Sequence, residues 1–184
     1  LSSFVSPHQS QIQAFVELEQ FSLPNLSPLK IEMLNFRTAL IEDLPDLLKL
    51  EQCLIEAERP YNSSIKAESA FYYDMEKLIL SDDSHLLVVE IEGEVIGTGY
   101  AQIRSSKISL DHERHAYLGF MYVSPAHRGK GINSKLIEKL IAWGKKNGVQ
   151  DFYLDVYSQN SSAIKAYEKV GFQPSLMEMK LNLK

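Results

Sequence analysis

Apolar residues change their spacing several times along the chain, and each change marks an element. Residues 34–40 read as a strand, after which Glu42, Asp43 and Pro45 open a helix through Leu47, Leu48, Leu50 and Leu54. Residues 58–62, with Pro60 among them, break that helix. Ser63 or Ser64 can cap a second one, expected over 65–80 with Phe71, Tyr72, Met75, Leu78 and Ile79. Residues 86–91 and 95–103 are strands joined through Glu92-Gly93-Glu94, a hairpin signal. Gly97 and Gly99 alternate onto one face of the second strand, where missing side chains admit a close neighbour or a bulge. A polar loop over 105–114 precedes a strand over 116–123. A helix over 134–146 then presents Leu136, Ile137, Leu140 and Ile141 on one face. The pattern closes with a strand over 152–157, a helix over 160–171, and strands at Phe172 and over 177–183.

This order, strand, two helices, three strands, then alternating helices and strands, is mixed α/β in one layered domain. Residues 1–32 have a different texture. A short amphipathic helix over 11–21, with Ile12, Phe15, Val16 and Leu18, is followed by an extended linker around Pro24 and Pro28. It is expected either to cover an apolar edge of the domain or to act as an arm that grips a second subunit in a homodimer. The domain proper is expected over 33–184.

Between the strand ending at Val123 and the helix that follows lies Ser124-Pro125-Ala126-His127-Arg128-Gly129-Lys130-Gly131-Ile132-Asn133-Ser134. A glycine turn opening a helix points unpaired backbone N–H groups at one spot, and the helix dipole adds partial positive charge there. Arg128, Lys130 and Lys135 add full charges, so the stretch either seats a phosphate or pyrophosphate or only caps the helix. It is not a nucleoside-triphosphate loop, because Ile132 and Asn133 follow Gly131 where Lys and Ser or Thr are needed. Nor is it a dinucleotide fingerprint, since position 134 is Ser.

A second constellation is Asn160-x-x-Ala163-x-x-x-Tyr167-Glu168-Lys169-x-Gly171-Phe172. Its spacing puts Asn160, Ala163 and Tyr167 on one helix face, with Gly171 placed to end the helix in the left-handed conformation. The first stretch resembles the acetyl-coenzyme A loop, Q/R-x-x-G-x-G/A, of the GCN5-related N-acetyltransferases (GNAT family), with Ala126 and Asn133 departing from the usual residues. The second resembles the carboxy-terminal motif of the same family. Phe36-Arg37-x-Ala39 with a leucine-rich helix after it resembles the family's opening.

The resemblance implies a mixed central sheet of about six or seven strands flanked by about four helices, with a splayed strand pair holding the coenzyme. It implies acetyl transfer from acetyl-coenzyme A, without a metal, to a primary amine of a small molecule or peptide by direct attack. Arg128, Gly129, Lys130, Gly131, Ile132, Asn133 and Ser134 would hold the pyrophosphate, Met121 and Val123 the coenzyme arm through their main chain, and Asn160 the pantetheine or phosphate region. Tyr167 would donate the proton to sulfur, since a phenol with a pKa of about 10 stays protonated at neutral pH. Tyr117 stands where some relatives carry a glutamate base, leaving a water relay, His115 or Glu113 as substitutes. His115 has a suitable intrinsic pKa and shares the strand face of Tyr117. Arg59, Tyr61, Tyr72 and Tyr73 are candidate acceptor contacts, the helix pair and its joining loop being one wall of the acceptor site in the family. The alternative is a non-catalytic acyl-coenzyme A sensor of the same fold.

Composition narrows this picture. Of 184 residues, 45% are hydrophobic and 23% charged, which is ordinary for a globular domain, and a net charge of −5 argues against nucleic-acid and anionic-membrane partners. Cys53 is the only cysteine, so no internal disulfide or multi-cysteine metal site can form. With no apolar run near the roughly 20 residues of a membrane span and no basic, apolar leader, the expected location is the cytoplasm.

Overall fold

The structure is a computed structural model that describes residues 34–183, so the helix expected over 11–21 lies outside the described residues. Five strands, β1 (Asn35–Thr38), β2 (Ser84–Ile91), β3 (Glu94–Ser105), β4 (Arg114–Val123) and β5 (Phe152–Leu154), form one sheet in chain order. The first four are antiparallel neighbours, and β5 runs parallel to β4. Four helices flank the sheet: α1 (Leu44–Glu58), α2 (Met75–Leu80), α3 (Ile132–Lys146) and α4 (Ser161–Glu168).

Alternation along the strands builds two cores. Leu86 and Val88 of β2 face α1 and α2, where Leu47, Leu50, Met75 and Leu78 are buried. Leu87, Val89 and Ile91 face the other way, onto Ile132, Leu136, Ile137 and Leu140 of α3, with Tyr167 and Phe172 packed alongside. Each of these α3 side chains contributes about 1.5–3 kcal/mol by burial.

Three expectations differ from the fold. The second helix is only Met75–Leu80, capped by Asp74, which accepts from Lys77 N–H. Upstream of it the backbone is tied to side chains and not to itself. Arg59 donates to the Lys66 and Ala67 carbonyls, and Glu51 Oε1 accepts from the N–H groups of Tyr72 (2.8 Å) and Tyr73 (2.9 Å). Next, β5 ends at Leu154 and not at 157, because β4 leaves it there. Finally, the described residues hold five strands, not six or seven. Met177, Met179, Leu181 and Leu183 alternate as a strand does, but are 74–89% exposed with no ladder partner.

The β3–β4 ladder carries a bulge. Thr98 pairs with Tyr122 and Tyr100 with Gly119, so Phe120 and Met121 stand opposite Gly99 alone. Phe120 takes a φ of 53° there. Both strand glycines are explained by this close approach: a Cβ on Gly99 would lie 2.7 Å from Met121 Sδ, and one on Gly97 3.0 Å from the Tyr122 carbonyl oxygen.

Beyond β4 a short 3-10 turn (Pro125–His127) leads through Gly129 (φ 77°) to Gly131 (φ 78°), which caps α3 in the left-handed conformation. A Cβ at either glycine would meet nothing within 4 Å. Gly129→Ala and Gly131→Ala should therefore each lower stability by about 1–2 kcal/mol, the conformational cost alone, measured from urea midpoints at constant m-value.

At the opposite edge Arg37 forks onto Asp43, with both N···O distances 2.7 Å, and also bonds Glu90. Asp43 accepts the Leu40 N–H as well, so β1, β2 and the start of α1 meet at one guanidinium. Arg37 holds both carboxyls below the usual carboxylate range, Asp43 also through the Leu40 N–H. Depressed folded values mean that this stabilisation is present above about pH 4 and is lost as pH falls through them. Arg37→Gln should cost about 1–2 kcal/mol at pH 7, allowing for solvent at the guanidinium, and should flatten the loss of stability between pH 5 and 3. Urea unfolding across that range checks both.

Candidate active site

The sheet opens where β4 and β5 part. Only Ala116, Tyr117 and Leu118 of β4 pair with β5, opposite Phe152, Tyr153 and Leu154, and β4 continues five residues further to Val123. Ser124 N–H bonds the Ile96 carbonyl on β3, so by alternation the main chain of Val123 turns toward the opening. Its carbonyl accepts from Arg128 Nε at 2.9 Å, which leaves its N–H facing the gap. The bulge makes Phe120 N–H bond to the Tyr73 hydroxyl at 3.0 Å, and the strand resumes at Met121 on the rim of the gap.

The glycine turn closes one end of this opening. No side chain caps α3, and its first internal bond runs from Lys135 N–H to the Gly131 carbonyl, so the N–H groups of Ile132, Asn133 and Ser134 are left for an outside acceptor. Ile132 itself is buried and anchors the turn in the core, with Asn133 and Ser134 half-buried and Arg128, Gly129 and Lys130 exposed. Arg128 lies 5.6 Å from the Tyr122 ring and is drawn back over the end of β4. The arrangement suits an anion: N–H groups and helix dipole at the centre, cations around it.

On the far side α4 begins at Asn160, whose Oδ1 accepts from Ala163 N–H at 3.1 Å, leaving the carboxamide NH2 as its donor. Tyr167, about 10 Å further along the helix, packs edge-on against Phe172. Burial pushes its phenol up to about 12, with Glu58 adding to the shift.

Glu58 has phenolic company. Its carboxyl is raised by burial against a smaller opposing effect of a hydrogen bond from Tyr72. Burial, then Glu58, holds the Tyr72 phenol well above its usual value, and burial does the same for Tyr73. Beside Tyr72 a cleft of about 330 Å³ is lined by Asn62, Ser64, Ile65, Phe71 and Tyr157 among others, with Lys66 as its one charged residue. Tyr61 stacks on Tyr157 with ring centres 6.1 Å apart, and Asn62 Nδ2 donates to the Tyr157 hydroxyl. Of the four expected acceptor contacts, Tyr72 lines the cleft, Tyr61 backs it, Tyr73 supports the bulge, and Arg59 is taken up by Glu56 and two loop carbonyls.

The structure puts His115 in a different place. Its Nδ1 is 3.0 Å from Ser106 Oγ, which also bonds His112, and its ring meets Tyr153 edge-on at 4.9 Å. Burial and the neighbouring His112 lower its pKa. Six residues along β4 separate it from Met121, roughly 20 Å, and it is not gathered with Tyr167. Tyr117 donates to Asp155 Oδ2 at 2.9 Å under the Arg104 guanidinium, 3.9 Å from its ring centre. Burial and that carboxylate raise its phenol, so it stays protonated at neutral pH. Glu113 lies in the loop before β4, where its carbonyl accepts from Ser106 N–H.

Sequence reasoning passed over Glu58 and Glu51. Glu51 left a signal: it falls on the apolar face of α1 with Leu47, Leu50 and Ile55, is 0% exposed, and has one oxygen without a partner. Glu58 left none, being one more acidic residue at a helix end. Among the described residues no group of three His, Cys, Asp or Glu could hold a metal ion, and no helix is long and apolar enough to cross a membrane.

Comparison with known proteins agrees with this geometry. Residues 50–172 match the model of the acetyltransferase (GNAT) family. An uncharacterised N-acetyltransferase of Methanocaldococcus jannaschii is 26% identical over 157 residues, 78% of this chain and 62% of that protein. The L-methionine sulfoximine/L-methionine sulfone acetyltransferase of Salmonella typhimurium is 36% identical over 87 residues, 47% of this chain and 49% of that one. The chain thus spans less than two thirds of these curated relatives. Among solved structures, an acetyltransferase from Clostridium acetobutylicum crystallised with acetyl-CoA superposes with a TM-score of 0.66 at 20% identity, covering 82% of this chain and 97% of that one. The aminoglycoside N-acetyltransferase AAC(6')-Iy in complex with CoA gives 0.64 at 18%, covering 82% and 99%. These structures share the fold, and with most of its length matched by the family model the chain belongs to the GNAT acetyltransferase family.

Proposed function

We propose that the protein is an acetyl-coenzyme A dependent N-acetyltransferase that acts on a primary amine by direct attack. The observation that carries this reading is the gap between β4 and β5, where the unpaired end of β4 leads into an uncapped helix N-terminus, together with a Tyr167 phenol that burial keeps protonated. Family membership supports the same reading. So do the relatives, which include proteins named for acetylating an amino-acid analogue and an aminoglycoside. Both kinds of acceptor offer a primary amine.

In this reading the N–H groups of Ile132, Asn133 and Ser134 take the pyrophosphate of the coenzyme, with Arg128, Gly129, Lys130 and Gly131 forming the turn around it. The free N–H of Val123 and the main chain of Met121 hold the pantetheine arm as an added strand would, in the place β5 vacates. The bulge spends Phe120 N–H on Tyr73, so Met121 N–H is the donor left beside the reacting carbonyl. Asn160 offers its NH2 to the arm from α4. The acetyl thioester supplies the acyl group and the sulfur. Tyr167 keeps its proton at neutral pH and gives it to the departing sulfur.

Tyr167→Phe should lower kcat for thiol release with an accepted amine by about 100-fold, the lower range of general acid–base effects. KM for acetyl-coenzyme A should stay within about twofold, since the ring still packs on Phe172. A fall smaller than about threefold would remove Tyr167 as the acid. Binding of acetyl-coenzyme A with no turnover over a broad amine panel would contradict the enzyme reading.

A further inference from the structure

Resting on the N-acetyltransferase reading, we infer that the acceptor is a compact amino carboxylate with an apolar side group, and that the cleft beside Tyr72 receives it with Lys66 taking the carboxylate. Both walls of the cleft lead to the gap. Tyr72 precedes Tyr73, whose hydroxyl bonds Phe120 N–H in the bulge of β4. Tyr157 follows the end of β5 by three residues, and its carbonyl accepts from the N–H of Asn160, the cap of α4. A molecule in the cleft therefore lies beside the place where β4 and β5 part.

The charge of the cleft has one sign. Lys66 is its one charged residue, and no carboxylate lines it. A second lysine reaches the same wall from the chain end: Lys180 Nζ donates at 2.6 Å to Oγ of Ser64, itself a lining residue. Among the described residues neither lysine forms an ion pair, and Glu68, two positions from Lys66, is not part of the lining. The Lys66 side chain is exposed, but the backbone beneath it is fixed, because Arg59 donates to the Lys66 carbonyl at 2.9 Å and to that of Ala67 at 3.3 Å. The result is an ammonium held at the cleft without a fixed counterion. A net charge of −5 draws cations toward the whole chain, yet this cleft opposes them at close range. A diamine or polyamine would bring a second ammonium against Lys66, whereas an amino carboxylate brings the opposite charge and accepts a charge-assisted hydrogen bond.

The rest of the lining suits an apolar group. Ile65, Phe71, Tyr72 and Tyr157 present their side chains there, and Phe71 is 71% exposed until something covers it. Asn62 is spent on the wall itself: it donates to the Tyr157 hydroxyl and accepts from Ser64 N–H, both at 3.0 Å. Ser69, held at a φ of 55° where an L residue is strained, lines the cleft as well and adds a hydroxyl. The volume, about 330 Å³, lies at the lower end of small-ligand sites and fits one compact acceptor.

The test measures thiol release from acetyl-coenzyme A with L-phenylalanine, with L-phenylalaninamide and with 1,4-diaminobutane, in wild type, Lys66→Ala, Lys66→Arg and Lys66→Glu. The acid-to-amide ratio of kcat/KM is compared between variants, so that the different basicities of the two amines cancel. Lys66→Ala should lower this ratio about tenfold by raising KM for the acid, with kcat for the acid and both constants for the amide within about twofold of wild type. Lys66→Arg should keep the ratio within about threefold, and Lys66→Glu should lower it further while improving use of the diamine. Acetyl-coenzyme A should bind every variant within about twofold, which shows that the fold and the coenzyme seat are intact. A ratio that moves by less than about twofold in both Lys66→Ala and Lys66→Glu, or a wild type that prefers the diamine to the amino acid, would overturn the acceptor assignment and leave the acetyltransferase reading standing. A wild type that turns over no amine would overturn the acetyltransferase reading and the assignment with it.

Discussion

Everything at this site depends on β4 losing its neighbour. A parallel pair normally satisfies its backbone groups along its whole length, yet β5 pairs for three residues and stops. The chain does not repair the gap with another strand among the described residues. The exposed edge of β4 is therefore both a liability and a binding surface, and an extended ligand arm can complete it.

Two buried polar connections hold that geometry. Glu51 fixes the backbone of Tyr72 and Tyr73, and the Tyr73 hydroxyl then fixes the bulge at Phe120. A carboxylate with 0% exposure, far from the chemistry, thereby aligns one wall of the cleft and the rim of the gap together. Arg37 does comparable work at the outer edge by tying the entry of α1 to β1 and β2.

Much of this was legible in the sequence because the informative residues act locally. Gly129 and Gly131 are needed for positive φ, Asn160 caps its own helix, and alternation in β2 and the helical repeat in α3 follow directly from burial on known faces. What escaped depends on partners distant in the chain. The segment 65–74 has helical composition but gives its backbone bonds to Arg59 and Glu51. Residues 177–183 have the alternation of a strand and no ladder to join. His115 has an intrinsic pKa suited to a base, but its position along β4 puts it with His112 and Tyr153, where burial and His112 lower that pKa. Glu58 was invisible because nothing in its local sequence says that it is half-buried or that Tyr72, from the segment before α2, acts on its carboxyl.

The central claim is that the β4–β5 opening and the turn at the start of α3 seat one acetyl-coenzyme A. Calorimetric titration of the protein with acetyl-coenzyme A, run beside the same titration with acetyl-pantetheine, tests it most directly. The account predicts one site of about micromolar Kd for the full coenzyme and binding weakened at least tenfold, about 1.4 kcal/mol, when the pyrophosphate is missing. Equal affinity for the two ligands, or no heat with the coenzyme at millimolar concentration, would contradict it.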